Sequence, residues 1–528
     1  MPANSQPKTQ PAIVPVVEYA GRQVGFVAEQ LLCTGCATCD AACGEDAIHM
    51  AYSPRSGVFE PRIDSGRCTL CGVCVAVCPG FRLDMGQWPP QQLAANNHPL
   101  IGSYQGIWRA YSSDEAVRAV AASGGAVTEI ISHLFRTKRI DGAIVTRMNP
   151  NAPLEAEAFI ADSEQTLLAT QKSKYCPHPH NSILKAIVRG DQAHRRLAFV
   201  GLPSHVHGLR NLQRLFPQLR KTIPYVVSLF TAHVPSRQAT EFLLSLNGLE
   251  PEDVESIDYR GDGVPGRLRI KRLDGRETLI PHQHWSYWGH AFSHFFYPPR
   301  EWLYFDKLSR WADWSVGDNW QQHNSDVKGA STVVCRSTEA EAVIDEMRSI
   351  AVLIIQPMTA TELVHDQDLE NKLNIGIRLK IWQWLGCKVP NYTPALPVRW
   401  RDAPRTFRFA LYVKLCMLRP PIWLLGPFIK TDYLLRKHLP RLAKGLTRKV
   451  WRLGRSLTRA LRILPALHSE PNTPSKIFMV GGYGWKDIGD ESMPHADLLK
   501  LKACLPGDTY FVMASADPTD TAARYGEQ

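Results

Sequence analysis

The sequence predicts a multidomain chain of the α+β and α/β classes. Three observations carry that expectation. Eight cysteines lie between Cys33 and Cys78 in two like-spaced runs. From about Ile101 to Pro390, short apolar runs alternate with stretches of helical spacing. Between Arg399 and Arg462 stand 17 Lys or Arg against two acids, Asp402 and Asp432. The expected layout is a disordered tail over 1–24, a cysteine-rich module over 25–95, an α/β body over 101–395, a basic helical segment over 399–468 and a β–α–β fragment over 476–528. A length of 528 residues suits several domains of ~100–200 residues. With 44% hydrophobic and 21% charged residues, the chain is not wholly disordered. No uncharged apolar run approaches the ~18–20 residues of a membrane-spanning helix. The opening MPANSQPKTQPAIVPVV has no basic stretch followed by an apolar core, so no secretory signal is read and a cytoplasmic chain is expected.

In a reducing compartment, clustered cysteines point to metal or cluster ligation rather than disulfides. Cys33, Cys36, Cys39 and Cys43 follow C-x2-C-x2-C-x3-C, and Cys68, Cys71, Cys74 and Cys78 repeat it 35 residues later, ending on Pro79. This is the spacing of two-cluster bacterial ferredoxins, in which the fourth Cys of each run ligates the other cluster. One 4Fe–4S cluster is therefore assigned to Cys33, Cys36, Cys39 and Cys78, the other to Cys68, Cys71, Cys74 and Cys43. Two-residue steps bring consecutive thiolates to one cluster, and the three-residue step throws the fourth across. Zinc knuckles are the alternative, but zinc sites separate their C-x2-C pairs by longer spacers. With all four thiolates per cluster used, the expected task is electron transfer. Glu45–Ile48 reads as the first turn of a short helix.

In the body, Ala143–Val145, Leu197–Val200 and Val226–Phe230 read as strands, while Ala126–Phe135 and Arg237–Leu246 carry helical spacing. Ser123-Gly124-Gly125 precedes a helix, and so does Gly201-Leu202-Pro203-Ser204. Such starts can bind phosphate through backbone N–H groups, although an S-G-G alone is more often only a helix start.

Several of these segments, in this order, resemble the coenzyme F-420 hydrogenase/dehydrogenase beta-subunit family, F-420 being an 8-hydroxy-5-deazaflavin hydride carrier. The motifs are Ser123-Gly124-Gly125-Ala126-Val127-Thr128, Asp141–Val145, Ser173-Lys174-Tyr175, Gly201–Ser204 with Leu209-Arg210, Leu229-Phe230 with His233 and Pro235-Ser236, Tyr259-Arg260 with Pro265-Gly266, and Ala312-Asp313 with Ser315–Asp318. The resemblance implies a flavoprotein body, usually with FAD, fed or drained by the clusters. It also implies that Ser123, Gly124, Gly125 and Thr128 contact the flavin phosphate or its surroundings, and that Lys174 faces the flavin ring or an anionic substrate. Gly201, Pro203, Gly317 and Asp318 are further cofactor-binding positions on the same grounds. No catalytic residue is assigned. Many members carry Cys where this chain has Ser204 and Thr231, and a C-x-x-C in the region where it has Phe296–Pro299 and Asp306. No further cluster is therefore expected in the body. Cys176, Cys335, Cys387, Cys416 and Cys504 are expected to be buried apolar residues. His178 and His180, beside Cys176, read as loop residues rather than metal ligands.

The segment from Arg399 to Arg462 carries +15, leaving the rest of a +11 chain at −4. Leu435, Leu439, Leu442, Leu446, Val450, Leu453, Leu457 and Leu461 recur there at helical intervals. Such a helix suits an anionic membrane surface at the inner face, a docking partner, or a solvated linker. Nucleic acid is disfavoured, since no aromatic platform accompanies the charge. Beyond it, Lys476–Gly484, Asp487–Glu491 and Tyr510–Met513 resemble the start of the polysaccharide pyruvyl transferase family, too short for a transferase core. The expected function is an iron–sulfur flavoprotein oxidoreductase working with a redox partner protein or a small hydride carrier. An electron-transfer or accessory subunit in cell-surface polysaccharide biosynthesis, with no turnover of its own, is the alternative.

Overall fold

The computed structural model describes residues 17–86, 95–231, 233–261, 263–281, 296–320, 328–403 and 406, with two short strands, Lys476–Val480 and Tyr510–Ala514. The first compact unit takes in residues up to 375 together with 386–396. It opens on the cysteine-rich module. Residues 17–24, expected in the tail, are instead folded into it. Val17–Tyr19 form a 3-10 turn, Tyr19 is buried, Gly21 N–H donates to Leu70 O at 2.8 Å, and Arg22 bridges to Cys71. Two short helices, Thr38–Ala42 and Val73–Ala76, carry the second half of each cysteine run. The hairpin β1 (Ile48–Ser53) and β2 (Val58–Ile63) lies between the runs. The helix expected from Glu45 to Ile48 does not form. Asp46 is left-handed at φ 52°, Ala47 N–H donates to Cys43 Sγ at 3.3 Å, and Ile48 pairs across to Ile63. The local propensity is overridden by the hairpin.

The body is built on an eight-stranded sheet. Its strands are β6 (Gly106–Ser112), β7 (Gly142–Asn149), β8 (Ala152–Ala161), β9 (Leu197–Gly201), β10 (Tyr225–Leu229), β14 (Trp314–Asp318), β15 (Ser331–Cys335) and β16 (Leu353–Pro357). They run in the order β16-β6-β15-β14-β10-β9-β7-β8. Four consecutive strands, β14, β10, β9 and β7, are parallel, with antiparallel β15, β6 and β16 on one side and β8 on the other. Apolar residues are continuous along the parallel strands because both faces are covered. Ala143 and Val145 enter one core with the helices Ala126–Arg136 and Thr338–Ser349, while Ile144 between them enters the other. That second core also holds Phe199, Val206 and Leu209, and with them Ala41, Ala42, Val73 and Val77 of the module. Module and body thus share one core, in which burying Val73 or Val77 contributes about 1.5–3 kcal/mol each.

Smaller pieces complete the unit. They are the hairpin β4 (Asn96–His98) with β5 (Gly102–Tyr104), and the antiparallel sheet β11 (Val254–Asp258), β12 (Arg267–Arg272) and β13 (Glu277–Pro281). Late in the chain, β17 (Asn391–Thr393) returns to pair in parallel with β3 (Arg82–Asp84) of the module.

The second unit takes in residues 376–385 and 397–528. Its described parts include the turn Trp400–Asp402 and the parallel pair β18 (Lys476–Val480) and β19 (Tyr510–Ala514). Those two strands are the ones expected of a β–α–β fragment. The basic segment beyond 406, the helix start at Asp487–Glu491, Cys416 and Cys504 lie outside the described residues. Among the described residues, no helix is long and apolar enough to cross a membrane.

Candidate redox site

The 35-residue repeat of cysteines is also a repeat of backbone shape. Gly35 and Leu70 are both left-handed, at φ 73° and 55°, and so are Ala37 and Gly72, at 66° and 79°. These turns lie among the first two cysteines of a run and lead into the short helix that carries the third. Gly72 cannot carry a side chain, since a Cβ there would stand 2.3 Å from Tyr19 O.

The fourth thiol of each run crosses over. Cys78 is the strongest electrostatic neighbour of both Cys33 and Cys39, while Cys43 stands with Cys71 and Cys68 around Cys74. Cys33, Cys36, Cys39 and Cys78 line a cavity of about 310 Å³ walled by apolar residues such as Val27, Met50 and Pro61. The two sets differ in exposure. In the first, only Cys33 is half-buried; in the second, Cys43, Cys68 and Cys71 are, and Leu70 beside them is 46% exposed. Burial pushes the Cys39 thiol well up, and Cys78 up to about 12. Bound iron would hold such thiols ionised, and two sets of four cysteines have the donor chemistry of iron–sulfur clusters. Backbone N–H groups aimed at sulfur, Gly35 to Cys33 at 3.4 Å and Ala47 to Cys43 at 3.3 Å, suit thiolates and would tune the potential of a cluster held there.

On the far side of Thr34 lies a larger cleft, partly open to solvent, whose empty space including that opening is about 570 Å³. It opens where the parallel strands end, the usual place for ligands in such sheets. Pro203 starts the helix Pro203–Leu215 there, directly after Gly201 at the end of β9. Ser204, Thr231 and Pro298, from three separate segments, all line this one space. A buried histidine group forms one wall. His178 Nε2 and His180 Nδ1 are 3.1 Å apart and share Thr146 Oγ1, and the His180 ring stacks on His205 at 4.7 Å. His178 and His180 are therefore core residues with partners. Asn181 fastens them to the module, donating from its backbone to Cys36 O and from its side chain to Thr38 Oγ1 and His205 O, each at 2.9 Å.

Burial holds His178 down to about 4, and His180 and His205 well below the ordinary value. The unfolded chain takes up these protons first, near pH 6.5, so the stabilisation is whole above that pH and is lost as pH falls toward about 4. For His178 alone the loss is about 3 kcal/mol. Urea unfolding at pH 7 and at pH 4.5 should show it, and His178→Gln should flatten the difference. Equal wild-type stability at the two values would overturn this.

The family motifs converge on a second point. Arg260, 1% exposed, donates to Asp318 Oδ2 at 2.7 Å, to Ala122 O at 2.5 Å and to the Tyr175 hydroxyl at 3.5 Å. One guanidinium thus joins the Ser123-Gly124-Gly125 loop, the Ser173-Lys174-Tyr175 loop and the end of β14. Within this group, Ser123 Oγ donates to Ala330 O at 2.7 Å, and Gly124 N–H donates to Ser331 Oγ at 3.0 Å. Gly124 permits a close approach, since a Cβ would stand 2.4 Å from Ala110 O. Gly125 is left-handed at φ 80°, and Thr128 Oγ1 accepts from Gln171 at 3.3 Å. Lys174 donates to Gln171 O and Lys172 O at 2.9 Å and to Thr170 O, and burial lowers it to about 8. Gly317 packs under Phe230, whose ring leaves no room for a Cβ. Cys176 and Cys335 are buried as expected, whereas Cys387 is only half-buried. The nine expected cofactor residues therefore divide between the Arg260 group and the strand ends beside the larger cavity. Sequence reasoning left Arg260, His205 and Glu301 off the site. Arg260 stood in a quoted motif, but nothing in the spacing flags Glu301.

Comparison with known proteins finds family and structural matches. Residues 32–80 match the 4Fe–4S dicluster domain. Residues 107–185 match "Coenzyme F-420 hydrogenase/dehydrogenase, beta subunit N-term", and 194–361 match the description of its C terminus. The coenzyme F-420-dependent sulfite reductase of Methanocaldococcus jannaschii is 28% identical over 233 residues, 38% of this chain and 36% of that protein. The coenzyme F-420 hydrogenase subunit beta of Methanothermobacter thermautotrophicus is 27% identical over 164 residues, 30% of this chain and 57% of that one. Each match thus spans less than two thirds of the relative. A chain of the F-420-reducing nickel–iron hydrogenase complex of Methanosarcina barkeri superposes with a TM-score of 0.44 at 16% identity, covering 56% of this chain and 99% of that one.

Proposed function

Because this chain carries both domains of the coenzyme F-420 hydrogenase/dehydrogenase beta-subunit family behind a 4Fe–4S dicluster domain, we propose that it is an iron–sulfur oxidoreductase subunit. It exchanges single electrons with a protein partner, and electron pairs with FAD and a deazaflavin-type hydride carrier. The observation that supports this most is the place of Thr34, which lines both the cysteine cavity and the larger cavity at the strand ends. Clusters carry electrons singly and a flavin takes them in pairs, so one chain holding both converts one currency into the other. Cys33, Cys36, Cys39 and Cys78 hold the inner cluster, facing the body. Cys43, Cys68, Cys71 and Cys74 hold the outer one, whose half-buried thiols and exposed Leu70 meet the partner.

Protein purified without oxygen should contain about eight irons and one FAD. Intact clusters with no flavin under those conditions would overturn the flavin part. A second reading, an electron-transfer subunit without turnover of its own, is favoured by one observation. Gly124 N–H and the Lys174 ammonium, two groups expected to meet the flavin, are already bonded to protein oxygens. A redox titration with coenzyme F-420 separates the two: reduction of the clusters by reduced F-420 supports turnover, and its absence supports the second reading.

A further inference from the structure

The larger cavity holds one carboxyl among its described lining residues, that of Glu301. The 3-10 turn Pro299–Leu303 places it, and the turn is anchored to the module. Arg300, fully buried, donates to Gly80 O at 3.1 Å and Pro79 O at 3.3 Å, directly after Cys78. The next residue along therefore faces the cavity at a position fixed from the cluster side. Tyr304, 6% exposed, lines the same space, and its hydroxyl is buried with no hydrogen-bond partner among the described residues. A buried, unpartnered hydroxyl is costly unless something polar completes it. Pro177, Leu202, Pro203 and Pro298 supply apolar walls that suit a flat ring.

We propose that Glu301 is the proton donor to a flat, nitrogen-bearing redox ring seated in this cavity, with the Tyr304 hydroxyl as a second hydrogen-bond contact to it. This rests on the reading that the inner cluster passes electrons to a two-electron carrier. The two clusters give one electron each and are oxidised. The ring gains both electrons and one proton and is reduced. The Glu301 O–H bond breaks as an N–H bond forms on the ring, and the carboxylate regains its proton from solvent.

The charged and titratable groups facing Glu301 agree with that role. Burial raises its carboxyl to about 7, against the opposing pull of Lys372 and Arg300 and a hydrogen bond from Val234 N–H. His178 and His205 across the cavity are held neutral, and the Cys176 and Tyr304 protons are held far above neutrality. Glu301 is thus the lining group able to release a proton near neutral pH.

The test uses the full chain with reconstituted clusters. The clusters are reduced with dithionite, excess reductant is removed, and the protein is mixed with FAD. Wild-type bleaching of FAD should slow as pH rises through about 7. Glu301→Gln should be about a hundredfold slower at pH 6, with iron content unchanged and no dependence on pH near 7. Glu301→Asp should recover part of the rate. Time-resolved infrared difference spectra should show a protonated-carboxyl band that is lost transiently on reduction and then recovers in the wild type, and that is absent from Glu301→Gln. Equal rates and equal bands in variant and wild type would overturn the assignment alone. A wild type that neither binds nor bleaches FAD would overturn it together with the reading on which it rests.

Discussion

Replacing Cys78 with serine should empty the seat of the first cysteine run and leave the second run's cluster in place. Cys78 lies in the second run by sequence, yet it lines one cavity with Cys33, Cys36 and Cys39. Serine holds its proton far more tightly than cysteine and is a poor ligand in that apolar space. Iron should fall from about eight to about four per chain. Passage of electrons to the cavity beyond Thr34 should be lost, while exchange with an outside donor persists at the half-buried outer set. Cys43→Ser should give the converse, an intact inner cluster that outside donors reach only slowly. Paramagnetic resonance of the reduced variants reads which cluster survives. If Cys78→Ser kept the first run's cluster and lost the second's, each run would hold its own cluster and the crossing would be wrong.

Arg260→Leu should be among the most destabilising single changes in the body. The guanidinium is 1% exposed and holds Asp318, itself 18% exposed, together with the Ala122 carbonyl. Removing one partner of a buried pair strands the other, at a cost of about 3–5 kcal/mol. The thermal midpoint should fall by at least about 5 °C. Arg260→Lys should recover little, because an ammonium cannot span Asp318 and Ala122 as the planar fork does. An unchanged midpoint in Arg260→Leu would show that the three loops hold together without this residue.

Much of this was legible in the sequence, for identifiable reasons. The cysteine runs were readable because a cluster fixes its ligands at short, rigid spacing. The parallel strands were readable because both their faces are covered, which makes Ala143–Val145 and Leu197–Val200 unbroken apolar runs. The start of the helix Ala126–Arg136 was announced by its glycines. Other features were not legible. Ile48 follows residues with a good helix start, but its partner Ile63 is supplied by the hairpin. Residues 17–24 look like more of a polar, proline-rich leader, yet Tyr19 packs against the Gly72 turn. Glu301, His205 and Thr34 come from distant segments, and only the tertiary fold brings them to one space. Gly124 stood in a helix start able to bind phosphate, and Gly317 among the positions implied for a cofactor; the sequence did not show that each also admits a close neighbour, Ala110 O and the Phe230 ring.

The parallel pairing of β17 with β3 sets an order of assembly. Tyr392 reaches Leu83 across about 300 residues of chain. At about 5–20 residues per second, a ribosome delivers that partner some 15–60 s after the module has emerged. Through that interval β3 lacks this partner, whereas Val73 and Val77 gain their sheet earlier, as Ile144, Phe199 and Val226 emerge. The cysteines are all present by then, so the machinery that loads iron meets a module that is chemically complete and mechanically unfinished. Loading can come first, and the last of the ties between module and body, β17 on β3, closes only after nearly the whole redox unit has been synthesised.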